Sequence, residues 1–340
     1  MLVSLALLVV SLLVLTAGAE LLVRGAVAIA RGLGVSAFFI GLTIVGFGTS
    51  TPELATSLMA ALRGSGDIAV GNVVGSNICN VLLILGATAL IRPIGIEMRL
   101  VRSELLIVIA VSLLPFAAML TGGVVSRAQG VAMVALLGVY LWRGYAAGRK
   151  EESRRTAQPG AQPPAEPPAE PPAELDAELL RGVGLNPDKP VRALPSMLSI
   201  AAGLVLLVGG SWLLVRSASD IARSFGISEL VIGLTVVALG TSAPELFTSV
   251  VAAVRRQSDI AVGNILGSNI FNLLGILGVT AAVRPQTIAP QVFRLDAPLM
   301  LGAAVLAAFF MRTGSRLTRP EGVFMLAAYA GYIAYLYLAR

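Results

Sequence analysis

The sequence predicts an all-α polytopic membrane protein of ten transmembrane helices, arranged as two inverted five-helix repeats. Three observations lead there: an apolar composition, apolar runs of membrane-crossing length, and a duplicated half. Hydrophobic residues make up 56% of the 340 positions and charged residues 13%, where a soluble chain carries about 25% charged residues. Apolar runs recur along most of the chain. Each is near the ~20 residues that cross ~30 Å of hydrocarbon at ~1.5 Å per residue.

The duplication is direct. Residues 210–285 lie on residues 18–93 at a constant offset of 192 (210 − 18), without a gap, and 46 of the 76 positions are identical. "IGLTIVGFGTSTPELATS" (40–57) matches "IGLTVVALGTSAPELFTS" (232–249), and "DIAVGNVVGSNICN" (67–80) matches "DIAVGNILGSNIFN" (259–272). "LLVR" recurs at 21–24 and 213–216, and "RP" at 92–93 and 284–285.

The first half reads as apolar segments at 3–30, 36–62, 67–91, 104–121 and 126–147, and the second as 196–222, 228–254, 259–283, 297–312 and 321–339. Five is odd, so the two halves enter the bilayer from opposite sides. Many secondary transporters share that plan. The first repeat is expected to span 1–147 with its motif at 40–80, and the second 196–340 with its motif at 232–272. Residues 148–195 join them. "AQPPAEPPAEPPAE" (161–174) lacks the means to build a core and reads as an extended, solvated linker, with a short surface helix expected at 175–185.

The first 25 residues resemble a leader, but they carry no basic n-region and the apolar stretch runs on unbroken. Placing the loops near 31, 92–102, 148–195, 255–256 and 312–319 on one side collects 18 of the 25 Lys and Arg there, counting the basic segment ends that border them. By the positive-inside rule the linker is cytoplasmic and both termini face out, in a multi-pass arrangement in the cell (inner) membrane.

Composition also excludes. The one cysteine, Cys79, rules out an intrachain disulfide and reads as a small buried residue. There is no histidine, so His metal sites and His proton relays are out. Net charge is +6 with no basic patch interleaved with aromatics, which argues against nucleic acid. No nucleophile–base pair or phosphate loop marks an enzyme, no cofactor is called for, and no obligate protein partner is evident; the lipid bilayer is the expected partner.

The chemistry lies in the carboxylates. Glu53 and Glu245 hold matching places deep in the second segment of each half. A carboxylate at that depth costs at least ~2.5–3.5 kcal/mol and is a functional-site candidate by default. Pro52 and Pro244 precede them and disrupt the turn before. The backbone carbonyls of Gly46–Ser50 and of residues 238–242 are thereby expected to be freed, which a membrane tolerates only where they line a cavity or are re-satisfied. Carbonyls, carboxylates and hydroxyls make an oxygen-only ligand set suited to hard cations such as Ca²⁺, Mg²⁺ and Na⁺.

The third segments add Ser76/Asn80 and Ser268/Asn272 at i, i+4 spacing, one helix face each. Asn72 and Asn264 extend that stripe. Gly71, Gly75, Gly263 and Gly267 read first as helix-packing positions. Thr56 and Ser57 are expected to bond back to carbonyls four residues earlier, and Asp67 and Asp259 to cap the helices they open.

"GTSTPEL", "GTSAPEL" and the paired "GN-x-x-GSNI" stretches resemble the α-repeats of the sodium/calcium exchanger branch of the cation/Ca²⁺ exchanger superfamily, a prokaryotic Na⁺/Ca²⁺ antiporter. The resemblance covers nearly the whole chain except the linker. It implies an electrogenic secondary antiporter with Ca²⁺ and Na⁺ as substrates and Ca²⁺ extrusion as its main direction. It further implies that Glu53 and Glu245 bind Ca²⁺ and share in Na⁺ binding. The carbonyls of Thr49 and Thr241 would complete the Ca²⁺ site. Ser50, Ser76, Ser242 and Ser268, with the carbonyls of Gly46 and Ala238, match Na⁺ ligands, and Thr49 and Thr241 also serve there. Asn80 and Asn272 take the central polar position. K⁺-dependent members carry Asp where Asn272 stands, and proton-coupled relatives usually read "GN-x-PEL". Alternatives are an H⁺-coupled or K⁺-dependent exchanger of Ca²⁺ or another divalent cation and, after those, a cation channel.

Overall fold

The computed structural model describes residues 2–33, 35–157, 193–226, 236, 238–314 and 316–338. Helix α1 (Leu2–Leu33) is followed by α2 (Ala37–Thr49) and α3 (Thr51–Leu62), bent by 45° to each other at Ser50. Then come α4 (Gly66–Ile91), α5 (Met98–Leu120) and α6 (Arg127–Ala157). The second half supplies α7 (Ala193–Ser224), α8 (Ala238–Thr241), α9 (Ala243–Val254), α10 (Ser258–Val283), α11 (Val292–Gly314) and α12 (Arg319–Leu338).

Among the described residues, α1, α4, α5, α7, α10 and α11 are long and apolar enough to cross a membrane, and the bent pair α2–α3 makes a seventh. This is an all-helical integral membrane protein. Helices α6, α9 and α12 coincide with three more of the expected segments. The linker stretch 158–192, including the helix expected at 175–185, lies outside the described residues, as do 227–235 at the start of the seventh expected segment. Helix α6 runs ten residues past 147, through "RKEESRRTA", which is rich in strong helix formers.

Helices α4 and α10 are the central ones. Of the most apolar window of each, 72% and 83% is buried inside the protein, against 22–33% in the other long spans. Their Val73, Ile78, Ile84, Ile265, Leu273 and Leu277 are fully enclosed. Around them, α1 lies antiparallel along α7 at glycine contacts. A Cβ on Gly203 would meet Leu22 N at 2.7 Å and Gly18 O at 2.8 Å, so only glycine permits that spacing.

Two short sheets tie the loops. β1 (Ile94–Gly95) pairs antiparallel with β4 (Arg316–Leu317), and β2 (Val124–Val125) with β3 (Gln286–Thr287). Under the offset of 192, β1 corresponds to β3 and β2 to β4, so each sheet takes one strand from each half. Arginine caps follow the same exchange: Arg92 Nη1 donates to Val254 O at 3.2 Å, and Arg284 Nη1 to Leu62 O at 3.5 Å.

Candidate cation site

The two broken spans place the carboxylates. Pro52 and Pro244 sit in the first turn of α3 and α9, where a missing N–H costs nothing. Glu53 and Glu245 follow in the same first turns and are 1% exposed. The helix N-terminus favours an anion there. Before the break Gly46 O accepts from Ser50 N at 3.2 Å.

Each carboxylate is held by the opposite half. Ser242 Oγ donates to Glu53 Oε1 at 3.0 Å, and Ser50 Oγ to Glu245 Oε1 at 2.9 Å. The second oxygen of each, Glu53 Oε2 and Glu245 Oε2, is buried and has no hydrogen-bond partner. Asn77 Oδ1, Asn80 Oδ1 and both polar side-chain atoms of Asn272 are buried and unpartnered as well. Among the described residues no ion pair reaches either glutamate. Burying unpaired carboxylates costs several kcal/mol each, so oxygen atoms of this kind fit a dehydrated cation as substrate.

Asn80 and Asn272 each stand second in a stretch of π-helix, Cys79–Leu85 and Phe271–Ile276. Such widened turns are common at functional sites and have no simple sequence signature. Asn80 Nδ2 donates to Asn269 Oδ1 of the other half at 3.1 Å. Ser268 Oγ donates to Gly46 O at 3.1 Å, and Ser76 is buried. Thr49 is fully buried; Thr241 is half-buried at the end of α8, the helix that Ala238 begins.

Three sequence expectations change. Ser57 does not bond back along its helix; its hydroxyl accepts Asn72 Nδ2 at 2.8 Å and faces Ala69 O at 3.5 Å. Asn72 and Asn264, read as a stripe, are clamps: each donates to the backbone carbonyl of its own half's glutamate, at 3.2 and 3.4 Å. Asp67 and Asp259 lie inside the first turn, and the capping positions are Ser65 and Gln257.

The glycine reading is met in the second half; residues 230 and 234, the offset counterparts of Phe38 and Leu42, lie outside the described residues. Gly263 and Gly267 pack on the backbone of α2 at Phe38 and Leu42, whereas no described atom lies within 4 Å of a Cβ built on Gly71 or Gly75.

Sequence reasoning passed over one duplicated polar pair. Tyr140 donates to Glu104 at 2.6 Å and Tyr332 to Asp296 at 2.9 Å, tying the fourth segment to the fifth in each half. Both residues of one pair lie 192 positions from those of the other, so extending the repeat beyond residue 93 would have exposed them.

The sodium/calcium exchanger protein family model matches residues 3–145 and 195–338. The chain belongs to that family. It is 35% identical over 338 residues to the inner membrane protein YrbG of Escherichia coli, covering 99% of this chain and 98% of that one. Over 315 residues it is 30% identical to the sodium/calcium exchanger MaX1 of Methanosarcina acetivorans, covering 89% and 90%. Solved structures of the sodium-calcium exchanger NCX_Mj superpose with a TM-score of 0.78 at 29% identity over 99% of both chains, in crystals soaked with Na⁺ and Ca²⁺. This exchanger is therefore an ion antiporter of the membrane.

Proposed function

We propose that this exchanger moves Ca²⁺ out of the cell against Na⁺ influx, using one site shared by both halves. The observation that carries the reading is the pair of buried glutamates, each bonded across to the other half and each with an unpartnered oxygen. Glu53 and Glu245 hold Ca²⁺ with the carbonyls of Thr49 and Thr241. Na⁺ is held by the glutamates, Thr49, Thr241, Ser50, Ser76, Ser242, Ser268 and the carbonyls of Gly46 and Ala238, with Asn80 and Asn272 at the centre.

Two carboxylates are neutralised by one Ca²⁺ or two Na⁺. A higher Na⁺ ratio, which the family resemblance implies, makes exchange electrogenic. Each net charge crossing 100 mV then contributes ~2.3 kcal/mol.

Ten helices in two inverted repeats fit the exchanged strand pairs and arginine caps, together with the antiparallel α1–α7 pair. The linker is cytoplasmic, both termini face out, and the protein resides in the inner membrane. Alternating access would have α1 and α7 rock past the other helices around the fixed site.

Ca²⁺ uptake into proteoliposomes under imposed Na⁺, K⁺ and H⁺ gradients, one at a time, tests this. Uptake driven by outward Na⁺ alone supports it. Uptake driven by a proton gradient and indifferent to Na⁺ selects the H⁺-coupled reading. Rapid flux with no counter-ion selects a channel.

Asn272→Asp is expected to add a third carboxylate beside two others. Close like charges favour proton binding, so Ca²⁺ flux should fall more steeply on acidification and gain a response to K⁺. A pH profile and K⁺ response equal to the parent would place residue 272 away from the ions.

A further inference from the structure

We infer that Asn264 is a positioning residue for the ion site, holding Thr49 of the first half and Glu245 of the second in register. The inference rests on the exchange site proposed above.

Asn264 is fully buried. Its Nδ2 donates to Ser249 Oγ at 2.9 Å and to Glu245 O at 3.4 Å. Those two acceptors fix the amide's orientation, because only the NH₂ end can serve both. The Oδ1 end is thereby turned to α2, where it accepts from Thr49 Oγ1 at 3.1 Å.

The bonds close a circuit. Thr49 precedes Ser50, Ser50 Oγ reaches Glu245 Oε1 at 2.9 Å, and Asn264 joins the Glu245 backbone to Thr49. The carboxylate and the broken turn thus share one amide that crosses the half-to-half boundary. Thr49 has one hydroxyl proton, and its other acceptor, Gly46 O, is more distant at 3.4 Å. With that proton given to Asn264, Thr49 is left with only acceptor lone pairs for a cation, and its backbone is pinned where α2 ends at the break.

The offset partner Asn72 makes the matching bonds to Glu53 O and Ser57 Oγ but is only half-buried.

The test is a double-mutant cycle on the full chain. N264L, T49V and N264L/T49V are compared for the half-saturating Ca²⁺ in proteoliposome uptake and for the Ca²⁺-induced rise in melting temperature in detergent. Each single change should raise half-saturating Ca²⁺ about tenfold. The double should be little worse than N264L alone, because N264L already removes the Thr49–Asn264 bond along with those to Ser249 and Glu245. T49S, which keeps the hydroxyl, should bind Ca²⁺ more tightly than T49V. A multiplicative double mutant, or N264L with parental affinity, overturns the inference. If N264L does not fold, T49V and T49S decide: equal affinities in the two also overturn it. A parent chain that moves no Ca²⁺ would instead sink the exchange reading itself.

Discussion

Glu53→Gln and Glu245→Gln, made singly, should each reduce Na⁺-driven Ca²⁺ flux to below a tenth of the parent while the protein still inserts and folds. Glutamine keeps the size and one oxygen ligand but removes half of the charge facing a dehydrated divalent ion. At 1% exposure water does not make up the difference. Folding survives because among the described residues no base pairs with either glutamate, so removing its charge lowers a burial cost instead of orphaning a partner. The crossed Ser50–Glu245 and Ser242–Glu53 bonds are of equal length within 0.1 Å (2.9 and 3.0 Å), so both substitutions should be severe. Vesicle ⁴⁵Ca²⁺ flux beside size-exclusion chromatography checks this. A mutant keeping more than a tenth, a loss under ~1.4 kcal/mol in rate terms, breaks the paired-carboxylate site.

Gly267→Ala should damage the protein by a different route. The added Cβ would overlap the Leu42 carbonyl and its Cα, which are backbone and cannot rotate aside. Gly263 and Gly46 hold α2 and α10 at the same close spacing: a Cβ on Gly263 would meet Phe38 O at 2.5 Å, and one on Gly46 would meet Ser268 N at 3.0 Å. Forcing that interface apart costs about 1–3 kcal/mol as overpacking, and it drags Ser268 and Asn264 from their partners on α2. A melt in detergent should show a clear fall in midpoint and in folded yield. Gly302→Ala, on the exposed face of α11 with open space around it, should melt like the parent. Equal midpoints for the two variants would mean α2 and α10 do not meet through glycine.

Much of this was legible in the sequence because membrane physics makes it so. A carboxylate and a proline inside an apolar run are costly, and finding both twice at one offset leaves few readings open. Glu53, Glu245, Ser50 and Ser242 were found that way, and the structure brings the four together. The antiparallel course of α1 and α7 is in line with the odd segment count.

What stayed hidden depends on partners distant in sequence. Asn264 meets Thr49 across 215 positions, and no local pattern states which end of its amide faces which neighbour. Ser57 reads as bonded within its own helix, the common fate of membrane serines, but its hydroxyl donates to Ala69 O of α4 and accepts from Asn72. The π-turns at Asn80 and Asn272 have no simple sequence signature.

Equilibrium ⁴⁵Ca²⁺ binding to the purified exchanger, titrated with Na⁺, tests the shared site most directly. One Ca²⁺ per chain should bind, Na⁺ should displace it completely, and Glu53→Gln and Glu245→Gln should each abolish that binding. Ca²⁺ that stays bound at saturating Na⁺, or that binds either variant as it binds the parent, would contradict a single site built from both halves.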